Sequence, residues 1–237
     1  MDLFDSISRR KSCRSYIDQP MSAEQLDEIR AAIDTFEPLY PELSLDYRFV
    51  AKTKGMFHVQ APQYLIISGQ GKEREQENVG FLYQQLVLWF DAHDIGCVWL
   101  GSTRDVVKNE NGKDIITIAF GQVDGSVHRD RSEFKRKPVS DITNDPNDAC
   151  IQAVNLAPSG MNIQPWYLQK EDGRLLFYRQ LLKPPKALAY KLTKIDMGIA
   201  LCHYATACRH FDKPFTFHQQ GDAAAKKGYE LFGYVDI

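Results

Sequence analysis

The sequence predicts an α+β fold made of two related units, and three observations predict it. Apolar residues recur every three or four positions over long segments, as on one face of a helix. Short runs of branched and aromatic residues, bounded by Gly and Pro, read as strands. The order of these elements then repeats in the second half of the chain, which divides it into residues 1–143 and 144–237.

In the first unit, Ser22 is placed to cap a helix running to about Asp34, with Leu26, Ile29, Ala32 and Ile33 as its apolar stripe. A Pro-rich loop leads to strands at Tyr47–Ala51 and Gln63–Ser68, with a Lys/Gly turn between them. From about Asn78 to His93, Val79, Leu82, Leu86, Trp89 and Phe90 share one wide face, which predicts a central helix. Gly96 ends it, Cys97–Leu100 reads as a buried strand into Gly101, and Ile115–Phe120 reads as another strand before Gly121. Polar and basic residues then dominate to Asn147.

The second unit offers a helix at Asp148–Leu156, strands at Trp166–Gln169 and Leu175–Arg179 around the Asp172–Gly173 turn, a helix at Asp196–His210 and a strand at Phe215–His218. An offset of 118 residues sets Gly80 on Gly198 and Asp94 on Asp212. Two identities can arise by chance, so the order of elements carries more weight: equal units can pack face to face about an internal pseudo-two-fold axis.

Composition excludes several classes. Hydrophobic residues are 43% and charged residues 25% of the 237, which fits a globular chain rather than a disordered or fibrous one. A net charge of -2, from 29 Lys plus Arg against 31 Asp plus Glu, gives no overall field for nucleic acid or anionic lipid. No stretch reaches the roughly 18 uncharged apolar residues of a membrane span, and the start to Arg14 is too charged for a secretory signal, so a cytoplasmic protein is expected. Five cysteines without a CxxC pair suit a reducing compartment and read as small buried hydrophobes. Cys202, His203, Cys208 and His210 suggest zinc only superficially, because neighbours on a helix point about 100° apart; no metal is expected.

Two local signals carry chemistry. Arg9, Arg10, Lys11, Ser12, Cys13 and Arg14 pack four cations and a hydroxyl ahead of a helix, which suits a phosphate as well as a solvated basic run. Lys135, Arg136 and Lys137 can supply the other side of the same phosphate; neither run has the interleaved aromatics of a nucleic-acid stacking surface. The second signal is Ala157-Pro158-Ser159-Gly160-Met161-Asn162-Ile163-Gln164-Pro165-Trp166, a loop between helix and strand. Its small residues let backbone approach a flat ligand, and Ser159, Asn162 and Gln164 offer directional hydrogen bonds; a plain structural turn is the alternative.

The segment Arg10 to Tyr16 resembles the RRSxRxF opening of nitroreductase-like FMN oxidoreductases, and Ala157 to Trp166 resembles their APSxxNxQPW loop. More than 140 residues separate the two here, which is similar to the TM nitroreductase branch, where two truncated halves are fused around one flavin site. The resemblance implies mixed sheets flanked by helices, an internal pseudo-dimer, and a functional unit within one chain, with further oligomerisation left open. It implies that Arg10, Lys11 and Ser12 hold the FMN phosphate with Lys135 or Arg136. Arg14 would reach the ribityl chain and pyrimidine edge and stabilise the reduced flavin. Pro158, Ser159, Gly160 and Asn162 would approach from the opposite half. Gly96 to Gly101 is similar to the strand facing the flavin N5, with the amide of Leu100 or Gly101 as donor.

The implied activity is electron transfer from NAD(P)H to a small acceptor such as a nitroaromatic or quinone, with the chemistry at the flavin and no acid–base triad. The sequence has no GxGxxG turn, and the family stacks the nicotinamide directly on the ring. Two other readings stay open: a flavin-binding or sensing module with little turnover, and a cofactor-free interaction protein. Segments such as Lys183–Lys191 are expected to be mobile and to shape the cleft over the ring.

Overall fold

Two 18-residue helices cross in the middle of the core of the computed structural model, which describes residues 2–183, 192–219 and 226–237. They are α3 (Glu75–Ala92) and α5 (Thr193–His210), and both are buried along most of their length. They are buried nearly all round, and the polar residues this encloses, such as Asn78, Gln84 and His203, are hydrogen-bonded inside. The crossing is tight because a methyl on Gly80 would overlap the Ile195 carbonyl, and one on Gly198 would overlap the Glu77 carbonyl. Both contacts obey the same 118-residue offset, so the helices exchange roles at the crossing. The offset extends to the helix exits, where Asp94 and Asp212 are left-handed at φ 56° and 52°.

Each long helix is served by a four-stranded sheet. The first has β1 (Asp46–Val50), β3 (Gln63–Gly69), β6 (Lys113–Gly121) and β4 (Gly96–Leu100) in spatial order β1-β3-β6-β4. The second has β7 (Trp166–Glu171), β8 (Arg174–Gln180), β10 (Tyr229–Asp236) and β9 (Phe217–His218) in spatial order β7-β8-β10-β9. In chain order both read first, second, fourth, third, with the long helix between the second and third strands. All these strand pairs are antiparallel; among the described residues parallel pairing is confined to isolated bridges, Ser12 to Cys97 and Thr143 to Leu168. The fold class is thus the expected α+β one.

Local chemistry explains most boundaries. α2 (Ala23–Asp34) opens with a capping box, Ser22 accepting from Gln25 N while the Gln25 side chain accepts from Ser22 N. Asp148 caps α4 (Ala149–Asn155) by accepting from Cys150 N and Ile151 N. α3 starts three residues before the predicted Asn78, because Glu75 turns its carboxylate back onto Gln70 N and Gly71 N and is buried there. α5 likewise starts at Thr193 instead of Asp196.

Four elements go beyond the sequence expectation. α1 (Phe4–Arg9) precedes the cation run, and β2 (Thr53–Gly55) pairs with β5 (Thr103–Asp105) as a small ribbon. β10 is the missing fourth strand of the second sheet; the expected Phe215–His218 strand shrinks to Phe217–His218 against it. All five cysteines are buried and free, as expected of small core residues. No described helix is long and apolar enough to cross a membrane. Of the segment Lys183–Lys191, residues 184–191 lie outside the described residues.

Candidate functional site

Arg10 leaves the end of α1 and enters the interior, only 3% exposed. Backbone pairing holds it: Arg10 bridges His128, Arg129 N donates to Arg9 O, and Arg129 Nε donates to Arg10 O at 3.0 Å. Two residues on, Ser12 bridges Cys97 and Cys13 N donates to Cys97 O, so the cation run lies along the edge of β4.

Three guanidiniums gather here, Arg10, Arg129 and Arg136. Arg129 and Arg136 both lie against the Phe134 ring, at 3.7 and 5.4 Å from its centroid. Burial, and then the positive fields of Arg136 and Arg129, push the Arg10 guanidinium down to about 9 from its usual 12.5. Burial and then Arg129 lower Arg136 to about 10, and burial lowers Arg129 as well. The nearby Asp91 is already engaged by Arg9 at 3.0 Å and His128 at 3.6 Å. Nε and Nη2 of Arg10 and Nε of Arg136 are buried donors without a partner. A cluster of desolvated cations with orphaned donors fits an anion that brings several acceptor oxygens, as a phosphate does.

The Ala157–Trp166 loop closes over this cluster. Asn162 accepts from Arg136 Nη1 at 2.8 Å and donates to Lys135 O at 2.7 Å. Arg136 Nη2 donates to Leu156 O, Gln164 accepts from Lys137 N, and Lys137 Nζ donates to Gln164 O. Ser159 Oγ accepts from Gln164 N at 2.8 Å. The polar side chains expected to face a ligand therefore bind the loop to the 135–137 run and to itself. Met161, Asn162 and Gln164 have φ of 52°, 56° and 51°, left-handed conformations that cost non-glycine residues on the order of 1 kcal/mol or more each.

Gly101 and Gly160 both meet Leu192: a methyl on Gly101 would lie 2.7 Å from its Cδ1 and one on Gly160 3.4 Å from it. The end of β4 and the loop from the second half thus stand one side chain apart. Behind the loop, Gly160 N donates to Asp196 Oδ1 at 2.9 Å. Asp196 is buried, its Oδ2 has no partner, and burial pushes its carboxyl up to about 7.

A buried polar chain crosses the helices beside the cluster. Trp99 Nε1 donates to Gln84 Oε1 at 3.1 Å, the Gln84 amide donates to His203 Nε2 at 3.0 Å, and His203 Nδ1 donates to Ala153 O at 3.0 Å. That pattern requires neutral His203. Burial first, then the fields of Arg10 and Arg136, hold its imidazole down to about 3. Both its nitrogens are spent, which leaves none for a metal.

Of the residues singled out by sequence, Arg10, Ser12, Lys135, Arg136, Leu100, Gly101, Pro158, Ser159, Gly160 and Asn162 are brought to one region by these contacts. Lys11 is half-buried beside them. Arg14 is exposed, its Nη1 3.4 Å from Ser12 O. Arg129, Asp196, Leu192 and His203 also stand at this region, and the sequence does not single them out for it. Arg129 had a faint signal as a cation in the basic stretch after Gly121; the others depend on which helix turn faces the loop.

Comparison with solved structures finds the same fold. A "putative nitroreductase" from Thermotoga maritima superposes with a TM-score of 0.70 at 21% identity, covering 100% of this chain and 94% of that one. A nitroreductase family protein from Clostridium difficile 630 gives 0.49 at 16% identity, over 60% of this chain and 96% of that one. An "FMN-dependent Nitroreductase" from Clostridium difficile R20291 gives 0.43 at 15% identity, over 55% and 93%. No curated protein matches the sequence. The family model described as "Putative TM nitroreductase" matches residues 2–208, and the chain belongs to that family.

Proposed function

We propose that the chain binds one FMN between its two halves, residues 1–143 and 144–237, and uses it to carry electrons from NAD(P)H to a small acceptor such as a nitroaromatic or a quinone. The observation that carries the reading is the buried Arg10 beside the half-buried Arg129 and Arg136, with orphaned donors on Arg10 and Arg136 and the Ala157–Trp166 loop bound to Arg136. Membership of a nitroreductase family supports it independently.

Arg10, Arg129 and Arg136 with the Ser12 hydroxyl hold the phosphate, and Lys11 and Lys135 add positive field at the rim. Asn162 fixes the Arg136 guanidinium in the plane where it can present its remaining donor. Pro158, Ser159 and Gly160 and the end of β4 line the ring. Gly160 N is already bound to Asp196, so the amide offered to the ring comes from Leu100 or Gly101. Arg14, exposed beside Ser12, stabilises negative charge on the reduced ring. When bound, FMN supplies the redox step, taking a hydride equivalent from the nicotinamide and returning electrons to the acceptor. The reading implies a cytoplasmic protein, a compartment that keeps five buried thiols free.

The absorbance spectrum of the purified protein tests this. A flavin band, native or after addition of FMN, that bleaches under anaerobic NADH or NADPH is expected. Protein that takes up no FMN removes the reading, and bound FMN that neither nucleotide bleaches replaces it with the sensing-module alternative.

A further inference from the structure

The pseudo-two-fold relation predicts a counterpart to the phosphate-and-ring region, built from the other end of each element. A cavity of about 350 Å³ occupies that position. It is lined by Phe81 and Gln85 of α3, Cys202 and Arg209 of α5, and Phe215 and Phe217 around β9. The 118-residue offset carries Phe215 onto Cys97 and Phe217 onto Trp99, residues of the strand beside the cation run. The remaining wall, Glu37 to Leu39, follows α2 as Pro158 to Gly160 follows α4. Both helices end in the same backbone pattern, Thr35 N to Ala32 O and Phe36 N to Ile33 O in one, Leu156 N to Ala153 O and Ala157 N to Val154 O in the other.

The two places have diverged in chemistry. The cavity has no buried guanidinium; its cations are Arg209 and Lys213, at and just beyond the end of α5, exposed and lightly engaged. Arg209 is 3.4 Å from Glu37, an exposed pair, and Lys213 is 3.7 Å from the mostly buried Asp148; both are long contacts that a competing anion can replace. Where the first site has the small Cys97, the cavity has Phe215, whose ring stacks with Phe81 at 6.0 Å and 17°. The volume is at the small end of ligand pockets. The Phe81, Phe215 and Phe217 rings offer flat apolar surface among polar walls that include Gln85 and Thr206, and with Arg209 and Lys213 at the mouth they suit a flat aromatic ring carrying one carboxylate.

We propose that this cavity is a second binding site, for a small aromatic carboxylate, distinct from the region enclosed by Arg10 and the Ala157–Trp166 loop. It goes beyond the flavin reading and stands on its own walls, so it is tested on both FMN-loaded and flavin-free protein. The probe is 2-naphthoate, followed by calorimetric titration and saturation-transfer NMR, with 2-naphthalenemethanol as the uncharged control. Saturable binding of 2-naphthoate is expected in both forms, with the alcohol weaker. In the double variant Arg209→Gln, Lys213→Gln the affinity should fall about fivefold, the equivalent of two exposed charge contacts. Both side chains are largely solvent-facing, so the fold is retained and FMN affinity should not change. Three results each overturn the proposal: no saturable binding of 2-naphthoate at millimolar concentration, equal affinity in the double variant, or displacement of bound 2-naphthoate by FMN.

Discussion

Asn78 and Asp196 lie one 118-residue offset apart in the first turns of α3 and α5, and each holds the loop that follows a shorter helix, with different success. Asn78 accepts from Tyr40 N and donates to Tyr40 O and Leu43 O, so the loop after α2 is held by a fully used amide. Asp196 accepts from Gly160 N alone and buries its second oxygen without a partner. An orphaned buried oxygen costs stability that the amide does not. The half whose loop encloses the cation cluster is thus the half whose hold on that loop is compromised, the usual sign of a site kept for function rather than stability.

The largest expected effect comes from Asp196 itself. Burial raises its carboxyl to about 7 from 3.8. Between those values the native state keeps a proton that the unfolded chain has lost, so stability falls as pH rises from about 4 to 7, at up to about 1.4 kcal/mol per pH unit. His203 acts oppositely: held down to about 3, it makes stability rise with pH between about 3 and 6.5. The wild type therefore shows a shallow profile, and Asp196→Asn isolates the first contribution. Urea midpoints from pH 4.5 to 7.5 should show the variant gaining on wild type as pH rises. A difference that stays constant with pH would mean that Asp196 is ionised throughout in the native protein.

Next is the contrast between the cation trio and the mouth of the second cavity. Arg10→Ala with Ser12→Ala should loosen FMN by tenfold to about a hundredfold, since a charge-assisted hydrogen bond is worth about 1.5 to 3 kcal/mol. Arg209→Gln should leave FMN binding alone. The flavin-free Tm separates this loss from misfolding: removing Arg10 relieves repulsion with Arg129 and Arg136, so that Tm should hold or rise. Unchanged FMN titration curves would take Arg10 and Ser12 out of the site.

The α3–α5 crossing gives a third, internal control. Gly80→Ala and Gly198→Ala each drive a methyl into a facing carbonyl, Ile195 and Glu77, and should each cost roughly 1 to 3 kcal/mol by overpacking. If the crossing is symmetric in energy as well as in geometry, thermal melts of the two variants will agree. A large disparity would show that only one helix can shift to make room.

How much of this could be read in the sequence varies with the range of the interaction. α2, α4, β3, β4 and β8 were legible because caps, Gly/Pro boundaries and apolar runs are local. β10 was not: Tyr229–Asp236 contains Gly233 beside a register shift, and its polar and apolar residues do not alternate cleanly. The two motif segments were legible as chemistry, and their convergence was expected from the resemblance. Arg129 was not singled out because its place depends on pairing with Arg9 and Arg10, more than a hundred residues away. From sequence, Asn162 and Gln164 read as side chains offering directional hydrogen bonds to a ligand. In the fold they hold the loop to Arg136 and Lys137 instead, a choice made by where the second basic run passes.

The smallest expected effect concerns the loops themselves. From Phe36 to Leu43 no residue is left-handed, whereas Met161, Asn162 and Gln164 all are. Asn162 and Gln164 are compensated by hydrogen bonds to the 135–137 run. Met161 is not: its side chain is 83% exposed, at φ 52°. Met161→Gly removes the steric penalty but frees the unfolded chain, two effects that largely offset, leaving a net gain of about 0.5 kcal/mol or less. A clear loss in Tm would mean instead that the exposed Met161 side chain makes stabilising contacts. A loss of FMN affinity without a loss in Tm would mean that the side chain covers the bound ring, which would make the strain at Met161 a cost borne for binding.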